Sequence, residues 1–149
     1  MNIAFTSRLY FPLLGGSIVV LDRLSREFIR QGHSVTILTG TPGDGLKSGS
    51  EWKSQEERWP AGEISVCRFA NIPSVVSVLR EADQVIMIEM SLKWLLAIML
   101  AGERPIVTHH THFIPLDGKV GPTRILQYLA GLMIPSTACS AMIAAPWGN

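Results

Sequence analysis

Short apolar runs alternate with stretches of helical periodicity from one end of this chain to the other, and few folds accept that pattern. The runs are Asn2 to Thr6, Val35 to Thr39, Glu63 to Ala70, Gln84 to Glu89, Pro105 to His109 and Ser136 to Ser140. The first helical stretch starts at Ser17, where Ile18, Leu21, Leu24 and Phe28 recur at three- and four-residue steps. Ser17 is its expected N-cap and Gly32 its expected C-terminal cap. Further helices are expected over Ser74 to Glu81, Ser91 to Ala101 (apolar and mostly buried) and Gly121 to Leu132. Strand, loop, helix and strand in immediate succession make a βαβ unit with a right-handed crossover. The Val-Ile-Met-Ile run before Glu89 suits a strand buried on both faces. The fold expected is therefore α/β: a Rossmann-like, doubly wound parallel sheet with helices on both faces. Gly40 to Gly62 breaks the rhythm with closely spaced glycines and prolines. It reads as a long loop with a helical turn near Ser50 to Arg58.

A chain of 149 residues suits one domain, 1–149. With 47% hydrophobic and 17% charged residues it is too apolar to be disordered. A net charge of +1 gives no support for a nucleic-acid partner, which demands a concentrated basic patch. Cys67 and Cys139 fall in apolar runs and read as buried, reduced thiols. A strand-like run follows Met1 at once, unlike a signal peptide. The longest apolar stretch, Leu92 to Ala101, contains Lys93 and falls well short of the roughly 20 residues of a membrane span. A cytoplasmic chain is the expectation.

Ligands of open parallel sheets sit beyond the carboxyl ends of the strands. Three loops thus become candidates. The first holds Pro12, Gly15, Gly16 and Ser17, just before the first helix. Paired glycines permit positive φ and close approach to the backbone, and a helix start offers free N–H groups and partial positive charge to a phosphate. A turn that merely joins strand to helix is the other reading. The spacing is neither Gly-x-Gly-x-x-Gly nor a P-loop. The second candidate is Thr108-His109-His110-Thr111-His112, where strand alternation sends His110 and His112 to one side and His109 to the other. Two same-side histidines, no cysteine and only Asp117 nearby make a thin zinc set, so no metal is expected. Structural histidines and histidines facing a substrate both fit. In the third, Ser140 either faces the cleft or caps the next helix.

The order of these elements resembles the N-terminal, acceptor-side domain of two-domain (GT-B) glycosyltransferases of family 4. Those domains begin with a strand, a loop with a proline and a Gly-Gly pair, and a helix ending in Gly-His. The matching residues here are Asn2 to Thr6, Pro12, Gly15-Gly16 and Gly32-His33. The resemblance implies that Gly15, Gly16 and Ser17 lie near the donor's phosphates, with Ser140 at the same cleft. It also implies that His110, and secondly His109, face the reacting sugar, while His33 is structural. A nucleotide sugar would be a substrate, so no cofactor is implied, and the acceptor would be a glycan or a lipid. The family's donor-binding domain, with its glutamate pair, has no counterpart in these residues, so a donor-binding domain or subunit is the implied partner. Glu89 stands where the family often has a histidine-containing segment. An apolar surface is expected at the cleft where that partner would dock. Members that act on lipids sit on the inner membrane face. Lys47, Trp52, Lys53, Arg58 and Trp59 can form such a peripheral contact against the offsetting Glu51, Glu56 and Glu57.

A nucleotide- or phosphate-binding Rossmann-like module without transfer chemistry is the competing reading. An NAD enzyme fits less well, because the glycine fingerprint is missing and Thr39-Gly40 stand where an acidic residue belongs.

Overall fold

The structure, a computed structural model, describes residues 1–11, 13, 15–40, 55–58, 64–68, 72–110 and 121–138. Its elements run β1 (Asn2–Ser7), α1 (Gly16–Arg30), β2 (Ser34–Thr39), β3 (Gln55–Arg58), β4 (Ile64–Arg68), α2 (Ile72–Arg80), β5 (Gln84–Ile88), α3 (Leu92–Ala101), β6 (Pro105–His109), α4 (Pro122–Gly131) and β7 (Ser136–Ala138). The strands form one seven-stranded sheet in the order β3-β4-β2-β1-β5-β6-β7. All pairings are parallel except that of β3 with β4. The chain first winds outward from β1 through β2 to β4, then crosses back and continues from β5 to β7. This is the doubly wound, Rossmann-like arrangement, and its switch point lies between β1 and β5.

Two apolar layers sandwich the sheet. On one face Ile3, Phe5, Val35, Ile37, Ile64, Val66 and Ile88 pack with Ile18 and Leu21 of α1. On the other, Ala4, Leu38, Val85, Met87 and Val107 pack with Val75 and Leu79 of α2 and Trp94, Leu95, Ala97 and Ile98 of α3. Alternation along each strand assigns odd and even positions to these opposite faces.

Gly32 ends α1 at φ +83, with its N–H on the Ile29 carbonyl at 2.8 Å and the His33 N–H on the Phe28 carbonyl at 3.0 Å. Those two bonds are a Schellman motif, and the His33 and Phe28 rings, 5.9 Å apart, add its side-chain contact. His33 is therefore part of a helix stop.

Several expectations need correction. The helical turn foreseen near Ser50 to Arg58 is, at 55–58, strand β3, paired antiparallel with β4. Gln55, Glu56, Glu57 and Arg58 have little strand propensity of their own, but charges suit an edge strand. Of Glu63 to Ala70, Ile64–Arg68 is strand β4 and positions 63, 69 and 70 lie outside the described residues; the next strand stops at Ile88, leaving Glu89 outside it at φ 63. Helix α2 begins at Ile72, two residues before Ser74, because a proline such as Pro73 is tolerated in a first turn. Ser17 is not the N-cap of α1; Gly15 holds that place with no side-chain hydrogen bond. Helix α3 is buried along one side only: Leu96, Met99 and Leu100 are exposed. Cys67 is a free, half-buried thiol, while Cys139 and Ser140 lie outside the described residues. Among the described residues no helix is long and apolar enough to cross a membrane.

Candidate functional site at the carboxyl rim

The last residues of the parallel strands stand side by side. The registers align Arg68 with Thr39, Thr39 with Ser7, Ser7 with Ile88, Ile88 with Thr108 and Thr108 with Thr137. Alternation puts this whole row on the α1 face of the sheet, since Phe5, Ile37 and Val66, two residues earlier on their strands, pack with α1. Buried polar residues concentrate at this rim. Thr6, Ser7, Thr39, Arg68 and His109 all lie within the last two positions of their strands, and among the described residues only Ser25 is buried elsewhere, within α1. Burying polar groups costs stability unless something satisfies them. The Ser7 hydroxyl donates to the Leu9 carbonyl at 2.7 Å, whereas the Thr6 hydroxyl oxygen has no hydrogen-bond partner among the described residues.

Helix α1 begins over the same row. Tyr10 anchors the connecting loop: it is fully buried, and its hydroxyl lies 3.4 Å from Asp22 Oδ1. Burial first, then the Asp22 carboxylate, pushes its phenol above the usual range. Asp22 is held in turn by Arg26 at 2.8 Å. Gly15 adopts φ −175, an extended conformation open to any residue, so the positive φ expected of the pair is not used. A Cβ on Gly16 would meet nothing within 4 Å, and one on Gly15 only Ile18 Cδ1 at 3.8 Å. The described fold makes no demand for glycine at either position. Both are exposed, and the space their missing side chains leave opens outward.

The N-termini of α1, α2, α3 and α4 all point to this rim, because each helix runs antiparallel to the strand that precedes it. None carries an acidic residue in its first turn, and for α1, α3 and α4 no side chain caps the start. Lys93 and Arg124 stand in the first turns of α3 and α4, at the pole where the macrodipole disfavours cations. The helix starts thus offer partial positive charge at this rim, alongside the Glu89 carboxylate.

The two candidate histidines part company. His109 is 2% exposed and shares the α3 face with Val107. Burial, with a smaller effect from nearby His110, lowers its pKa from the ordinary 6.5 to about 4, so it is neutral at physiological pH. His110 is half-buried just past β6, on the same face as Thr108 and the start of α1, and its Nε2 lies 3.1 Å from the Thr108 hydroxyl. Strand β6 is two strands from β1, or about 10 Å. The fold brings His110 and the Gly15-Gly16 turn to the same rim and face, and sends His109 to the other. His112 and Asp117 lie outside the described residues.

Glu89 is the residue that sequence reasoning underrated. It turns the chain sharply after β5 at φ 63, a conformation uncommon outside glycine. Its N–H donates to the Thr108 carbonyl at 2.9 Å, and its Oε1 accepts the His110 N–H at 2.8 Å. One residue thus braces the backbone on both sides of His109. The only signal for it in the sequence was a departure from the pattern of the family that the chain resembles. Among the described residues no group of three or more histidine, cysteine, aspartate or glutamate side chains could hold a metal ion.

No protein-family model matches the chain, and no curated protein matches it.

Proposed function

We propose that this chain is the acceptor-side half of a family 4-like GT-B glycosyltransferase. Paired with a donor-binding domain or subunit, it moves a sugar from a nucleotide sugar to a glycan or lipid acceptor in the cytoplasm. The carrying observation is the shared rim: an uncapped, acid-free helix start with an open Gly15-Gly16 turn above a polar row, and His110 on the same face. In this reading the turn and the α1 start receive the donor's phosphates, with Ser17 in the first turn beside them. His110, braced by Glu89, stands beside the reacting sugar, where an imidazole can donate to or accept from a hydroxyl. The bond between the anomeric carbon and the phosphate oxygen breaks, the acceptor hydroxyl oxygen bonds that carbon, and the nucleoside diphosphate leaves, its phosphate oxygen taking up the hydroxyl proton. His109 supports the strand end from the buried face. The cleft role of Ser140 and the peripheral membrane contact through 47–59 rest on the family resemblance alone.

Co-expression with a donor-binding domain, assayed over a panel of sugar nucleotides, tests this reading. Transfer is expected, and His110→Ala should abolish it while leaving the circular dichroism spectrum unchanged. Undiminished turnover in that variant removes His110 from the mechanism. The four acid-free helix starts alone also favour a second reading, a phosphate- or nucleotide-binding module. That reading prevails if the chain binds uridine diphosphate in calorimetry yet no reconstituted pair transfers a sugar.

A further inference from the structure

The outer side of α3 and α4 carries the largest apolar exposure described in the molecule. Leu96, Met99 and Leu100 on α3 and Leu126, Leu129 and Leu132 on or capping α4 are each more than half exposed. Ile125 and Met133 extend the stripe. Helix α4 adds little to the interior of its own chain: only Gly131 of its residues is buried. It is held by partial packing of Tyr128 and Ala130 and by the Gln127 amide on the Met90 carbonyl at 2.8 Å. This stripe runs along the helices, whereas the docking surface expected at the cleft lies at their N-terminal ends, so that surface does not account for the whole stripe.

We infer that this face pairs with the same face of a second copy to form a closed, two-fold homodimer. Area supports that choice. Eight aliphatic or methionine residues on or just past the two helices are each more than half exposed, the material of the roughly 800 Å² that one partner contributes to a standard interface. Charge sets the direction of pairing. No charged residue lies between Lys93, in the first turn of α3, and Glu103, two residues past its end. An antiparallel two-fold brings Lys93 of one copy to Glu103 of the other at both ends and sets Leu96 of one copy against Leu100 of the other. A parallel arrangement would set like charges together. An isologous face of this kind closes at two copies.

Sedimentation equilibrium of the unmodified chain should give twice the 16.4 kDa monomer mass. Leu100→Glu and Leu129→Glu, at exposed sites that leave the core intact, should each weaken pairing roughly a hundredfold or more. Circular dichroism confirms folding in both. A mixture of Leu96→Cys and Leu100→Cys chains should form a covalent heterodimer on mild oxidation that the parent chain, with Cys67 and Cys139, does not form under the same conditions. A chain that stays monomeric at about 100 µM, or associates without limit, overturns the proposal. So does a dimer indifferent to both glutamates, or a monomer that instead floats with anionic lipid vesicles.

Discussion

The carboxyl rim and the outer side of α3 and α4 depart from the ordinary distribution of residues in opposite directions. At the rim polar side chains are buried: Thr6, Ser7, Thr39, Arg68 and His109. On the outer helix side aliphatic chains are exposed, from Leu96 to Met133, which is 87% exposed. Solvated apolar chains cost free energy, whereas buried polar groups cost it only where an atom is left unsatisfied, as at the Thr6 hydroxyl. What distinguishes them is the chemistry that would complete each. The rim, with four acid-free helix starts above it, suits a small anion; the helix side suits an extended apolar partner. The fold itself sits between these surfaces, in two well-packed layers.

The sharpest way to break the comparison lies within one helix. Ile98 is fully buried on α3 and Leu96 is 52% exposed two residues earlier. Ile98→Ala should cost about 2–5 kcal/mol in urea denaturation. Leu96→Ala, measured at concentrations where the chain is monomeric, should stay within about 0.5 kcal/mol. Equal losses would show that the outer side of α3 belongs to the core.

Next in size is the pH response of the rim. The folded value of His109, about 4, lies below its ordinary 6.5, so the unfolded chain takes up the proton first as pH falls. Stability from its neutral burial is therefore intact above about pH 6.5 and is lost progressively down to about pH 4. At about 1.4 kcal/mol per pH unit the loss reaches about 3 kcal/mol at most. Denaturation midpoints from pH 7 to pH 4 should fall more steeply in the parent than in His109→Gln. Parallel slopes would mean that the ring protonates freely in the folded chain.

The smallest effects contrast two glycines. Gly32→Ala forces a side chain into φ +83 and should cost about 1 kcal/mol. Gly16→Ala enters open space in helical backbone and should shift stability by only a few tenths of a kcal/mol. Yet on the proposed function it should weaken binding of nucleoside diphosphates, because the added methyl stands where phosphate oxygens approach. Unchanged affinity would leave the Gly15-Gly16 turn a simple connector.

Much of this architecture is legible in the residues, because apolar runs and helical spacing respond to the same burial that builds the layers. The strands at Phe5, Ile37 and Met87 and the stop at Gly32 need no long-range information. Strand β3 was hidden because Gln-Glu-Glu-Arg takes its conformation from β4, a partner that local propensity does not see. The exposed side of α3 was hidden because an almost uniformly apolar helix carries no mark of which side faces out. At the candidate site, the Gly15-Gly16 turn and His110 follow from the rule that ligands sit at strand ends. The polar row does not, since Thr39, Ser7 and Thr108 become neighbours only through register. Nor does the Glu89 brace, which depends on a left-handed turn in a residue that reads as the end of a strand.

That brace reaches beyond its own hydrogen bonds. Glu89 is joined to the backbone of His110 on one side and lies three residues before the first turn of α3 on the other. A molecule that nudges His110 would tug, through a single carboxylate, on the root of the helix that bears the exposed leucines. Occupancy at one end of the protein and company at its flank would then be felt by each other along a lever only a few residues long.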